Sequence, residues 1–89
     1  METLFPLGQT VITRAALDVL QPEDVKACIA RHQAGDWGDL DVHDAKENEV
    51  GLAQSLRLFS VYRDRSNTKF YVITEHDRSV TTVLLPEDY

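Results

Sequence analysis

The chain of 89 residues has little of several things that particular classes of protein need. It holds one cysteine, Cys28, which excludes an intrachain disulfide framework and a multi-cysteine zinc site. No apolar run approaches the roughly 20 residues of a membrane-spanning helix. Basic residues are scarce, with 9 Lys and Arg against 15 Asp and Glu and a formal charge of -6. This acidic balance argues against a general nucleic-acid binder, because contacts to phosphate need clustered Lys and Arg.

The first residues do not have the pattern of a secretory signal, which begins with positive charge and continues into a long apolar stretch. Glu2 is negative, and Pro6 interrupts the apolar residues around it. We therefore expect a cytoplasmic protein, not associated with a membrane, in which Cys28 stays reduced. No repeat or linker divides the chain, so we expect one small globular domain over residues 1–89.

The first two thirds of the chain predict three helices. Thr13 is suited to cap a short helix through Leu20, and this helix would turn Ala16, Leu17 and Leu20 inward. Residues 9–12, just before it, are compatible with a short strand.

A second helix is predicted from Pro22, because proline fits the first helical position and the two acids after it suit the positive end of the helix dipole. Gly35 is predicted to end this helix. Its buried stripe follows the i, i+3, i+4, i+7 spacing and consists of Val25, Cys28, Ile29 and His32.

The third helix is predicted to start from a cap at Asp39 or Asp41 and to run to about Gln54. Its predicted inner side consists of Val42, Ala45, Glu49, Leu52, Ala53 and Leu56.

The last third of the chain predicts strands, because residues 57–63, 69–75 and 80–85 are rich in aromatic and β-branched side chains. The connections at 64–68 and 76–79 are turn-like and short enough for hairpins. The predicted fold class is therefore α+β: N-terminal helices packed on a C-terminal three-stranded antiparallel β-meander. One face of so small a sheet must be covered by the helices.

Negative charge is concentrated in residues 36–49, which hold six acids and one base, so that the rest of the chain carries a net charge of only -1. One interpretation is a docking surface for a basic partner. In the other interpretation these acids cap and solvate a helix start, and the tryptophan covers the edge of the core. The candidate partner-binding residues are Asp36, Trp37, Asp39, Asp41, Asp44 and Glu47.

The histidines and the cysteine predict no catalytic, metal or cofactor site. His32, His43 and His76 form no His-x-x-x-His pair, and no Cys-x-x-Cys pair exists. Cys28 and His32 lie one helical turn apart, which fits a nucleophile and its base but fits two core residues equally well. We favour the core, because nothing nearby in the sequence indicates an electropositive pocket.

The turn from Glu75 to Ser79 has a functional and a structural interpretation. In an enzyme, the turn from Glu75 to Ser79 would supply Glu75 or Asp77 as a base and Arg78 as an anion clamp. In a plain tight turn, Asp77 and Ser79 would bond the local backbone and Arg78 would pair with an acid.

The predicted sheet is mildly basic, which leaves nucleic-acid binding as a separate alternative. It would require Tyr62, Phe70 or Tyr71 to be exposed beside Arg63 and Lys69. The acidic total of the chain opposes it, and we expect no direct binding of nucleic acid.

Four pieces of the chain resemble a family of small bacterial proteins usually called plasmid-related or hypothetical proteins. They are residues 6–11 (PLGQTV), 34–40 (AGDWGDL), 73–79 (ITEHDRS) and 84–89 (LLPEDY). The resemblance covers nearly the whole chain in the same order, and it implies a bacterial protein of plasmids, prophages or other mobile elements. The family has no assigned catalytic residues, so the resemblance implies none here.

Mobile elements often carry small acidic proteins that disarm host defence by binding, including anti-CRISPR proteins and inhibitors of restriction enzymes. The expected function is therefore a non-enzymatic inhibitor of a host defence complex, such as a CRISPR effector. Its partner would be a host protein or ribonucleoprotein with a basic surface. The alternatives are a regulatory interaction module of a plasmid or prophage and a small enzyme that uses the turn from Glu75 to Arg78.

Overall fold

A computed structural model describes residues 3–89 and confirms the α+β class. The elements in chain order are β1 (Gln9–Ile12), α1 (Arg14–Val19), α2 (Pro22–Gln33), α3 (Val42–Gln54), β2 (Leu58–Arg63), β3 (Lys69–Thr74), β4 (Val80–Leu84) and a 3-10 turn (Pro86–Asp88).

The sheet differs from the predicted three-stranded antiparallel meander because it has a fourth strand. Strands β2, β3 and β4 do form an antiparallel meander, but β1 lies parallel to β4, and the strand order is β1-β4-β3-β2. Gln9 lies opposite Val80 and Ile12 opposite Val83. The sheet is therefore mixed, and its two edges are formed by the first and second strands of the chain.

The helix starts agree with their sequence signals. The Thr13 side chain accepts the N–H of Ala16 at 3.2 Å and caps α1, and Pro22 is the first residue of α2. The prediction for Leu17 is wrong, because this side chain is 56% exposed. A six-residue helix presents only a narrow inner stripe, and Ala16 and Leu20 occupy it.

The predicted inner side of α3 is correct for Ala45 and Leu52, which pack against a buried cluster of the core, and wrong for Val42 and Leu56. Val42 is 74% exposed and Leu56 is exposed, whereas the buried residues of the helix are Asn48 and Gly51. The reason is the position of α3 along the edge of β2. There Asn48 donates to the Phe59 carbonyl at 2.7 Å and accepts the Phe59 N–H at 3.1 Å, so a polar residue is required on the inner face.

Two clusters of buried residues lie on one face of the sheet. A larger cluster joins α1 and α2 to the sheet, and its buried members are Ala16, Leu20, Val25, Cys28, Tyr62, Phe70, Val72, Val83 and Leu85. A smaller one, made of Phe5, Trp37 and Leu58, lies under α3. Burial raises the pKa of the Cys28 thiol, in agreement with a core cysteine and not with an activated nucleophile.

His32 is fully buried beside the two clusters, as its place in the predicted stripe indicated. Its Nδ1 lies 2.5 Å from the Ser60 hydroxyl and its Nε2 lies 2.9 Å from the Thr74 hydroxyl. Thr74 in turn bonds Thr81 at 2.8 Å, and Thr81 donates to the Leu7 carbonyl at 2.8 Å. Burial lowers the pKa of His32 to about 4, so the ring is neutral near pH 7.

The β2 edge of the sheet is covered by the loop before α3. Asp39 donates its N–H to the Val61 carbonyl at 2.8 Å, and Val61 donates its N–H to the Trp37 carbonyl at 3.2 Å. Together with the two hydrogen bonds between the Asn48 side chain and the Phe59 backbone, these bonds occupy the outward-facing backbone groups of Phe59 and Val61 in β2.

Candidate functional site

Asp36, the first of the six predicted partner-binding residues, has a structural role in the fold. Its carboxylate accepts from Arg31 at 2.7 and 3.2 Å and from the Gly38 N–H at 3.2 Å. The bond from Arg31 holds the pKa of Asp36 below its usual value. This carboxylate therefore fixes the turn between α2 and the β2 edge, although it remains exposed.

Trp37 had two interpretations, an exposed anchor for a partner or a cover for the core, and the structure agrees with the second because only 7% of the residue is exposed. Its ring stacks on Phe5 at a centroid distance of 6.4 Å and meets His32 edge-on at 5.6 Å. Its indole N–H donates to Glu49 at 3.0 Å, so that its one polar atom is satisfied. Trp37 thus covers the core, which in a small domain needs every large apolar group.

Asp39 and Asp41 also have structural partners. Asp41 caps α3 by accepting the Asp44 N–H at 2.8 Å, which confirms one of the two predicted cap positions. Asp39 lies 3.6 Å from the Arg63 guanidinium in an exposed pair. Such a pair contributes little to stability, so the Asp39 carboxylate remains available to a partner.

Asp44 and Glu47 line an open groove where α3 meets the sheet face opposite α1 and α2. The groove consists of two adjoining depressions of about 510 and 350 Å³, which share Leu40, Asp44 and Phe59. We call it the α3 groove, and its lining holds four acids, three bases and three aromatic residues: Asp39, Asp41, Asp44, Glu47, Arg57, Arg63, Lys69, Phe59, Tyr71 and Tyr89.

The floor of the α3 groove is a contiguous aromatic cluster. The ring centroid of Phe59 lies 4.8 Å from that of Tyr71 and 5.9 Å from that of Tyr89, and the centroids of the two tyrosine rings are 5.9 Å apart. Tyr89 is 67% exposed. The alternation of side chains in β2 and β3 puts Phe59 and Tyr71 on one face, and that signal was available in the sequence. The position of Tyr89 was not, because it depends on the fold of the last turn.

Two cations already rest on this aromatic floor. The Arg57 guanidinium lies 5.4 Å from the Tyr89 ring centroid and donates to its hydroxyl at 3.2 Å. The Lys69 ammonium lies 5.9 Å from the Tyr71 centroid. The faces of both rings therefore accept cationic groups in this geometry.

The turn from Glu75 to Ser79 has a structural role. Asp77 accepts the N–H and the hydroxyl of Ser79 at 3.0 and 2.6 Å, as expected for a tight turn. The expected pairing of Arg78 with an acid is wrong, because its guanidinium donates to the carbonyls of Leu56 at 2.6 Å and Gly51 at 3.0 Å. Arg78 closes the end of α3, so the enzyme hypothesis loses its anion-binding group.

The remaining alternatives find limited support in the described part of the chain. Tyr62 and Phe70 are 1% and 0% exposed, so of the three aromatic residues expected to stack on nucleic-acid bases only Tyr71 remains accessible. Between residues 3 and 89, no three His, Cys, Asp or Glu side chains are arranged to hold a metal ion. Over the same range, no helix has the length and apolarity needed to cross a membrane.

Comparison of the chain with protein-family models, with curated proteins and with solved structures gives no match. The resemblance to plasmid-related proteins thus remains an expectation from the four sequence pieces. The geometry of the α3 groove and the distribution of charge are the basis for a functional proposal.

Proposed function

We propose that the protein is a non-enzymatic binding protein whose α3 groove takes a basic segment of another protein. The observation that supports this proposal is that carboxylates and aromatic rings lie together in one open groove. The carboxylates of Asp44 and Glu47 form one wall, and the rings of Phe59, Tyr71 and Tyr89 form the floor. Arginine and lysine side chains match this combination, because they present a cation on an apolar stem.

Charge supports a basic occupant over a neutral or acidic one. Residues 36–49 carry most of the net negative charge of the chain, and both the α3 start and the loop before it lie in this segment. An acidic surface speeds the encounter with a basic partner and rejects acidic ones. Arg57 and Lys69 lie over the Tyr89 and Tyr71 rings within the chain, so a partner arginine or lysine must displace them to reach these ring faces.

The partner class that we propose is a host defence complex with a basic nucleic-acid channel, such as a CRISPR effector. Proteins that hold nucleic acid present clustered Lys and Arg, and an acidic, aromatic groove competes for those side chains. The resemblance to proteins of mobile elements supports this setting. A regulatory module of a plasmid or prophage would use the same groove, and the identity of the partner distinguishes the two.

The test is co-purification of the tagged protein from a bacterial host with active CRISPR and restriction systems, followed by mass spectrometry. The groove variant combines Asp44→Lys and Glu47→Lys. The control combines Asp18→Lys and Glu23→Lys, which changes the net charge equally at exposed sites on α1 and α2, outside the groove. Asp41 is left unchanged because it caps α3.

We expect the wild type and the control to recover a defence subunit in stoichiometric amounts and the groove variant to lose it. Equal recovery by both variants would show that the groove is not the binding surface. Recovery of no protein by the wild type, in several hosts and at low salt, would overturn the binding function itself.

A further inference from the structure

The two edges of the sheet are unequal, and the β1 edge is open. In β1 the N–H of Gln9 donates to Ser79 at 2.9 Å, and the N–H of Thr13, just after the strand, donates to Val83 at 3.0 Å. Backbone groups alternate in direction along a strand, so the N–H and C=O groups of Thr10 and Ile12 point away from β4. Between residues 3 and 89, β1 pairs with no strand other than β4.

The β1 edge is short, at four residues, but it lacks the charged side chains and the proline that often prevent pairing of edge strands. Its sequence, QTVI, contains no charge and no proline, and three of its four residues are exposed. Beside it lies a depression of about 230 Å³ whose lining is almost wholly apolar. Ile12 and Leu17 border this depression, and Leu17 is 56% exposed. The edge therefore offers backbone hydrogen bonds next to an apolar surface.

The distribution of charge favours a second copy of the chain as the occupant of this edge. Each copy carries a formal charge of -6, which opposes association in general. However, the acidic segment lies on α3 and the loop before it, at the β2 edge, and the strand order places β1 at the opposite edge. Two copies that meet at β1 hold their acidic segments apart. The uncharged strand offers no attraction to the basic partner proposed for the α3 groove.

We propose that two copies pair through antiparallel β1 strands to form one eight-stranded sheet. Thr10 of each copy lies opposite Ile12 of the other, so that each such pair exchanges both of its N–H···O bonds. Val11 faces Val11 of the second copy across the two-fold axis, and the interface is isologous. Because β1 has only four residues, the dimer is weak and its population depends on concentration.

Sedimentation equilibrium over about a hundredfold range of protein concentration tests the pairing. We expect the mass to rise from 10.1 kDa toward twice that value. Val11→Lys should abolish the rise, because it places like charges directly opposite each other. Val42→Lys, the same change at a 74% exposed site on α3, should leave it intact. A mass of 10.1 kDa at every concentration, or a Val11→Lys variant that associates like the wild type, would overturn the proposal.

A second measurement needs no variant. Hydrogen exchange of the Thr10 and Ile12 amides should slow as the protein concentration rises, whereas that of Gln9, which bonds Ser79 within the chain, should stay constant. If the two outward amides exchange at the same rate at low and high concentration, the strands do not pair. Neither result depends on the function of the α3 groove.

Discussion

The buried histidine makes the stability of this protein depend on pH in a defined window. Burial lowers the pKa of His32 to about 4, against 6.5 for an accessible histidine. Between these values the unfolded chain binds a proton that the folded chain does not, so acid favours unfolding. The contribution of neutral His32 is therefore complete above pH 6.5 and is lost as the pH falls toward 4.

The size of this loss follows from the difference between the two pKa values of His32. At about 1.4 kcal/mol for each pH unit, the full loss is about 3 kcal/mol, of which about 2 kcal/mol falls between pH 7 and 5. Carboxylates such as Asp36, whose pKa is lowered by Arg31, act in the same direction, but mainly below that range. The interval from pH 7 to 5 therefore reports the histidine.

Urea denaturation at pH 7 and at pH 5 measures this loss directly. We expect the wild type to lose about 2 kcal/mol of unfolding free energy between the two, and His32→Gln to lose little. His43→Gln is the matched control, since the His43 side chain is 81% exposed, and it should behave as the wild type does. A wild type whose stability is equal at the two pH values would refute the placement of His32 as a buried neutral ring.

Other predictions concern the covered edge of the sheet. Asn48→Ala should lower the unfolding free energy by about 1–3 kcal/mol in urea denaturation, because it leaves the N–H and C=O of Phe59 without partners. An unchanged value would contradict the two hydrogen bonds between Asn48 and Phe59. Gly38→Ala should destabilise the fold by about 1–3 kcal/mol, since Gly38 has φ +72 and a Cβ there would overlap the Val61 carbonyl. Trp37 fluorescence should resist quenching by iodide in the native protein, and strong quenching would show that the ring is exposed.

The parts of the fold that local chemistry determines could be predicted from the sequence. Thr13 and Asp41 cap helices because their side-chain oxygens reach the backbone N–H three residues ahead, and Pro22 starts a helix because its ring fixes φ. The hairpins followed from short turns between β-branched runs. Each of these signals lies within a few residues of the structure that it determines.

The parts that depend on distant contacts could not be predicted. The pairing of β1 with β4 joins the two ends of the chain, and nothing within residues 9–12 specifies that partner. The exposed face of α3 was misassigned because Asn48, a polar residue, meets the sheet edge where an apolar stripe was expected. The sequence left Trp37 open between the core and an exposed anchor, and its neighbours in space, Phe5 and Leu58, place it in the core.

Of the candidate site, the sequence supplied the acids but not the aromatic floor. Asp44 and Glu47 belong to the acidic segment that was recognised from charge alone. Alternation along each strand was visible in the sequence, but the register of β2 with β3 is what brings Phe59 and Tyr71 together, and Tyr89 joins them through the final 3-10 turn. The groove is therefore a tertiary feature, which no local pattern specifies.

The most direct test of the α3 groove is an NMR titration of the isotopically labelled protein with an unlabelled arginine-rich peptide. If the groove takes basic segments, the largest shifts will fall on Asp44, Glu47 and the rings of Tyr71 and Tyr89, and added salt will reverse them. Shifts spread evenly over all exposed acids, with Asp18 moving as much as Asp44, would contradict a specific site. The absence of any shift at low salt would contradict the binding of basic segments altogether.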